Sequence, residues 1–144
     1  MSSGTYEFVD SVTSDLSFVA RGPSLEAVFE AAGDAVAAAT VESLASIEAR
    51  TTRSLRLHDT DLEVLLLRFV NELIYLRDAK GLLLRAQRVR IERNGEIELA
   101  AELVGERLDP ARHTLASEVK AATAHGLRVA RVGDGWEASV TLDV

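Results

Sequence analysis

The chain has 144 residues, 47% of them hydrophobic, and a formal net charge of −7. That length suits one domain with a real core, and that apolar fraction excludes a disordered chain. The acidic balance disfavours extensive gripping of nucleic-acid phosphates and fits a basic partner surface or a cation site, while the absence of cysteine excludes disulfides, zinc–thiolate sites and cysteine nucleophiles and fits a cytosolic protein.

The first ten residues lack the basic and apolar regions of a signal peptide, and the longest apolar runs, Val64–Leu67 and Leu82–Leu84, are far too short to span a membrane. Tyr6 to Asp10 reads as a short strand with Tyr6 and Phe8 on one face. A small polar loop follows, and the alternation of Leu16, Phe18 and Ala20 gives a second strand ending at Arg21-Gly22-Pro23, so that Asp10 and Asp15 flank one turn. Ser24 is placed to cap a helix whose apolar positions are Leu25, Val28, Phe29, Ala32, Val36 and Ala39, with Glu26 and Glu30 near its positive end. Its inner side is rich in alanine, which predicts close approach to a sheet.

Ile47 to Leu57 alternates imperfectly and reads as a half-exposed strand. Thr60-Asp61-Leu62-Glu63 has the form of a capping box with Thr60 as the cap. Leu62, Leu65, Leu66, Phe69, Val70, Leu73 and Leu76 then form a broad stripe that Gly81 stops. Asn94-Gly95 predicts a hairpin between the run holding Val89 and Ile91 and the run Ile97, Leu99, Ala101, Leu103. Glu118-Val119-Lys120 is expected to be a strand with Glu118 and Lys120 on one polar face. Gly133-Asp134-Gly135 predicts a second hairpin, after which Trp136, Ala138, Val140 and Leu142 point inward and Glu137, Ser139, Thr141 and Asp143 outward. The order ββαβα followed by strands predicts an α+β fold: one domain over residues 1–144, a mixed or antiparallel sheet, and both helices on one face.

Polar residues concentrate between Gly105 and His125. Arg112, His113, Glu118, Lys120 and His125 lie there, but no His pair has zinc spacing, and no phosphate loop or nucleophile elbow is present. Each histidine reads as a general base, a phosphate contact or a satisfied structural group; His58, at a strand end, reads as a surface residue. Asp10 and Asp15 at one end of the chain, and Asp143 beside Val144 at the other, read either as solvated acids at strand ends or as oxygen ligands of a hard cation.

The residues also carry a resemblance. Tyr6-Glu7-Phe8-x-Asp10, with Asp15 and Gly22, resembles the opening YEFxDHTAD…G of the archease family. Ser24 to Ala32 resembles that family's first helix, and Asp61-Leu62-Glu63 through Asn71-Glu72-Leu73-x-Tyr75 its DLExLL…NELLY helix. Gly105-Glu106, Asp109, Arg112-His113, Glu118-Val119-Lys120-Ala121, Thr123 and His125 resemble the block GExxDxxRHxxxxEVKAxTYH, and Gly135-Trp136 with Leu142-Asp143-Val144 the ending GW…FDI. The resemblance implies a non-enzymatic cytoplasmic accessory protein of the tRNA-splicing RNA ligase, promoting its guanylylation and repeated turnover, with modulation of a tRNA methyltransferase as another family role. It implies a divalent-cation site, Ca²⁺ foremost and Mg²⁺ or Mn²⁺ as alternatives, formed by Asp15, Asp143 and Val144 with Asp10 nearby. Arg112, His113, Glu118, Lys120 and His125 would then be partner-facing or lie behind the site. Two departures stand out: the segment from Asp10 to Asp15 is one residue longer than the family's, with Ser in place of His, and Ala124 replaces Tyr. A stand-alone metal-dependent hydrolase with His113 or His125 as base is the competing reading; it lacks a phosphate cradle and a basic groove.

Overall fold

The computed structural model describes residues 4–9 and 15–144. Asp10 and the polar loop after it lie outside the described residues. The elements are β1 (Thr5–Val9), β2 (Leu16–Gly22), α1 (Leu25–Thr40), a short 3-10 turn (Leu44–Ser46), β3 (Thr51–Asp59), α2 (Leu62–Lys80), β4 (Leu82–Asn94), β5 (Glu96–Arg107), β6 (Ala121–Val132) and β7 (Gly135–Asp143). This is the expected α+β order. The strands are distributed over two antiparallel sheets, one ordered β1-β2-β7-β6 and one ordered β3-β5-β4.

Each helix touches both sheets: α1 packs on β1, β2, β7 and β4, and α2 on β6, β3 and β4. The core forms where they meet, with Phe18, Phe29, Leu65, Leu66, Phe69, Leu99, Leu103 and Leu142 almost wholly enclosed. Phe29 and Phe69 join the two helices, their ring centroids 5.7 Å apart. Full burial of each large side chain of this kind contributes roughly 1.5–3 kcal/mol. The inward sets expected from alternation, Ile97 to Leu103 in β5 and Ala138 to Leu142 in β7, are buried.

The helix ends follow local chemistry. The Ser24 side chain accepts the Ala27 N–H at 3.1 Å. The cap of α2 is Asp61, not Thr60: its Oδ1 accepts from the amides of Glu63 at 2.8 Å and Val64 at 3.1 Å. A carboxylate one residue later meets the same free amides and the helix dipole together. Gly81 ends α2 in the left-handed region, φ 66°. Two predicted strands are corrected. The segment read as a strand from Ile47 begins at Thr51, because residues 44–46 form the 3-10 turn, and Glu118-Val119-Lys120 is a non-strand segment leading into β6.

The helices also close sheet edges. Three acids spaced by four along α1 face β4, the edge strand of the smaller sheet. Glu26 accepts the Ile91 N–H and Glu30 the Val89 N–H, each at 3.3 Å, and Asp34 takes Arg85 in a forked pair at 2.8 and 3.1 Å. From α2, Glu63 accepts the Val129 N–H at 3.0 Å, and Asn71 exchanges two bonds with the main chain of Ala122. Carboxylates and an amide thus stand in for missing neighbour strands on β4 and β6.

Candidate functional site

Two places gather the residues singled out by the sequence. The first is the loop after β5. Gly105 lies so close to β4 that an added Cβ would sit 2.0 Å from the Leu83 carbonyl oxygen, and only glycine allows that approach. Glu106 follows with 4% of its side chain exposed. Its Oε1 accepts Arg112 Nη1 at 2.6 Å, and its Oε2 accepts the Glu48 N–H at 2.7 Å and meets His113 Nε2 at 2.9 Å. The Arg112 guanidinium foremost, then the Glu48 amide, with His113 adding, pull the Glu106 carboxyl down from 4.5 to about 2 against the cost of burial. The Arg112 guanidinium is raised in turn, chiefly by Glu106.

His113 is completely enclosed. Its Nδ1 accepts the Asp109 N–H at 2.9 Å, so Nε2 carries the proton and donates it to Glu106. Asp109 ties the loop from the other side, its carbonyl accepting the amides of Arg112 and His113 and its Oδ1 the amide of Ala111. Arg112 also reaches the Ser46 carbonyl at 3.0 Å and Glu48 at 3.2 Å. Of the readings open for His113, the geometry matches the satisfied structural group: with both ring nitrogens engaged and no exposed surface, it is neither partner-facing nor a free general base. Arg112, partly exposed, is spent on the same clamp.

The second place is the outer face of the four-stranded sheet. Leu16 pairs with Leu142 at the end of the β2–β7 ladder, and Asp15 and Asp143 are the residues next to that last pair in sequence. Two residues inward on the same face, Ser17 Oγ and Thr141 Oγ1 meet at 3.1 Å, and Thr123 lies across from Thr141 on β6. At the far end, Arg21 joins Glu7 at 2.5 Å and Glu137 at 2.8 Å. The Lys120 N–H donates to the Asp143 carbonyl at 2.7 Å and pins the end of β7, and Val144 is half-buried against the core. The two acids reading as cation ligands therefore adjoin the same end of the β2–β7 ladder.

The remaining candidates are exposed. Glu118 and Lys120 flank the buried Val119. His125 sits in a wide bulge of β6, where four residues, 124–127, intervene between the pairs Thr123–Thr141 and Arg128–Ser139. An added Cβ on Gly126 would lie 3.8 Å from Thr141 Oγ1, so the bulge flanks the hydroxyl row. Among the described residues no three His, Asp or Glu side chains cluster as a metal site. His58 is on the surface, as expected, 3.0 Å from Glu96.

The fold is shared with known proteins. Residues 6–144 match the archease protein family. The chain belongs to the archease family. It is 35% identical over 141 residues to the archease of Methanosarcina barkeri, covering 96% of this chain and 95% of that one. It is 37% identical over 135 residues to that of Thermococcus gammatolerans, covering 92% and 94%. The solution structure of Methanobacterium thermoautotrophicum protein 1598 superposes with a TM-score of 0.84 at 29% identity, over 96% of this chain and 98% of that one. The crystal structure of a Thermotoga maritima archease, described as a possible chaperone, shares the fold with a TM-score of 0.63 at 24% identity, over 94% and 95%.

Within the family block, reasoning from sequence alone missed Glu106 as the hub of the loop. The available signal was its spacing to Arg112-His113, six and seven residues on. It also missed the edge-closing work of Glu26, Glu30, Asp34 and Glu63, which needs the sheet order to be seen. Among the described residues no helix is long and apolar enough to cross a membrane.

Proposed function

We propose that the protein is an accessory factor of a tRNA-splicing RNA ligase, promoting guanylylation and repeated turnover of that partner through a divalent-cation site on the outer face of the larger sheet. The observation that supports this reading is the β2–β7 register, whose end pair, Leu16–Leu142, adjoins Asp15 on one strand and Asp143 on the other. Family membership supports the accessory role, as does the description of the T. maritima relative as a possible chaperone.

The donors suit a hard cation because all of them are oxygen. Asp15, Asp143 and the oxygens of Val144 would hold it, with Asp10 a further candidate. A bound Ca²⁺, Mg²⁺ or Mn²⁺ would supply a positive centre for phosphate oxygens at the contact with the ligase. The chain's own contribution is to hold the ligands in place: the Lys120 amide fixes the main chain of Asp143, and the buried side of Val144 anchors the end of the chain. An acidic chain of net charge −7 would also find a basic, RNA-handling partner by electrostatic steering.

The test is multiple-turnover ligation by the purified ligase with and without this protein, with labelled GMP on the ligase as a second readout. Stimulation by the wild type and its loss in Asp15→Ala and Asp143→Ala are expected. Unchanged ligase guanylylation at every stoichiometry would overturn the reading.

A further inference from the structure

Trp136 is the single tryptophan of the chain, and two arginines from different sheets lie close to its ring. Arg93, near the tip of the β4–β5 hairpin, lies 5.5 Å from the indole centroid. Arg131, the cross-strand neighbour of Trp136 on β6, lies 5.4 Å from it. Among the described residues neither guanidinium is paired with a carboxylate, although the chain holds 23 acids against 16 Lys and Arg.

Beside the ring lies a cleft of about 240 Å³ lined by both arginines, by Pro23, Ser24 and Leu25 at the start of α1, and by Ile91. A second hollow adjoins it across Pro23 and Trp136. Two acids also reach the first cleft: Glu26, which has an oxygen on the Ile91 amide at 3.3 Å, and Asp134.

Stacking on an indole holds a guanidinium in place while leaving its N–H edge free. Two such edges on one cleft repel each other, and an anion between them removes the repulsion and accepts charge-assisted hydrogen bonds. The positive end of α1 adds to the same field, but the arginines make the site. The cleft of about 240 Å³ has room for a phosphate group.

We infer that Arg93 and Arg131, held on Trp136, form a binding site for a single phosphate ester group, such as the phosphate of a nucleotide or of an RNA end. This site is distinct from the Asp15–Asp143 pair, near the opposite end of β7, and does not depend on the ligase reading. Trp136 is its reporter. Emission excited at long wavelength is titrated at constant ionic strength with inorganic phosphate, a nucleoside monophosphate, a short oligoribonucleotide bearing a terminal phosphate, and the unphosphorylated nucleoside.

A saturable change with at least one of the three phosphate ligands is expected and none with the nucleoside. Arg131→Gln and Arg93→Gln should each weaken binding at least tenfold, Arg131→Lys less so, and Asp134→Asn should tighten it. The pattern among the three phosphate ligands identifies the source of the phosphate. No saturable change with any of them, an equal response to the nucleoside, or retention of binding in Arg131→Gln would overturn the inference. Thermal melts of each variant separate lost binding from lost folding.

Discussion

His113 and Glu106 meet at 2.9 Å inside the protein, the first with no exposed surface and the second with 4%. The pair is read most simply as a clasp. It fixes the loop from Asp109 to His113 against Glu48 and the 3-10 turn, and so ties the end of β5 to the segment that enters β3. The signature block of this family is thus partly a folding device, and its chemistry-bearing residue types owe their presence to that.

The clasp gives an acid dependence with a definite sign. Glu106 binds a proton less readily folded, at about 2, than in an open chain, at 4.5. The stability that this contributes is fully present above about pH 4.5 and is lost as the pH falls toward 2. Melting temperatures by circular dichroism from pH 7 to pH 2 should fall more steeply in the wild type than in Glu106→Gln, which starts lower. Parallel acid slopes in the two proteins would show that Glu106 is not a source of the acid sensitivity.

His113→Phe fills the space but strands the part-buried Asp109 N–H, at a cost of up to about 1–3 kcal/mol, the full penalty for an unsatisfied donor. Urea unfolding should show that loss with an unchanged slope. His113→Phe should leave stimulation of a ligase intact under conditions where the protein is folded, because the ring faces no partner. Lost stimulation in a folded variant would restore a direct role for His113.

Gly105→Ala places a methyl group 2.0 Å from the Leu83 carbonyl oxygen. The β4–β5 ladder must part there, and overpacking of this kind costs about 1–3 kcal/mol or more. Amide exchange should accelerate around Leu83–Leu84 ahead of the rest of β4. Wild-type protection at those amides would show that the strands accommodate the methyl group.

Asn71→Leu removes both bonds to the Ala122 main chain. The variant should lose about 1–3 kcal/mol and gain a tendency to associate through β6, visible as a concentration-dependent mass in light scattering. A monomer of wild-type stability would count against the edge-closing role.

If the acid pair binds a cation, the cation stabilises the fold by mass action, about 2.7 kcal/mol at one hundred times its dissociation constant. Added Ca²⁺ should therefore raise the melting temperature of the wild type and leave Asp143→Asn unmoved. Equal responses would place the ion elsewhere.

Much of this fold was legible in local pattern. The stripe from Leu62 to Leu76, the Ser24 cap and both hairpin turns follow from short-range rules, and they stand where expected. What was hidden depends on distant pairing. The division into two sheets cannot be read from alternation, which assigns a face but no neighbour. Asp61 displaced Thr60 as a cap because two good capping side chains sat side by side. Glu118 to Lys120 alternates like a strand but is not one. Of the site, the place of Asp15 and Asp143 beside one end of the β2–β7 ladder emerges only when those strands pair across more than 120 residues, whereas the role of Glu106 follows from a loop too irregular for any periodic pattern.

The place of β7 has a consequence for how the molecule is made. The smaller sheet uses only residues 51–107, which leave the ribosome together. The larger sheet has its last-synthesised strand in the interior, between β2 and β6. Until β7 slides into that slot, the β1–β2 hairpin and β6 have no common partner, and the two acids are strangers. Completing this seam late, over long sequence separation, is intrinsically slow. On this strand order the nascent chain stays a half-sheeted body, with its helices partly uncovered, until β7 pairs with both of its neighbours.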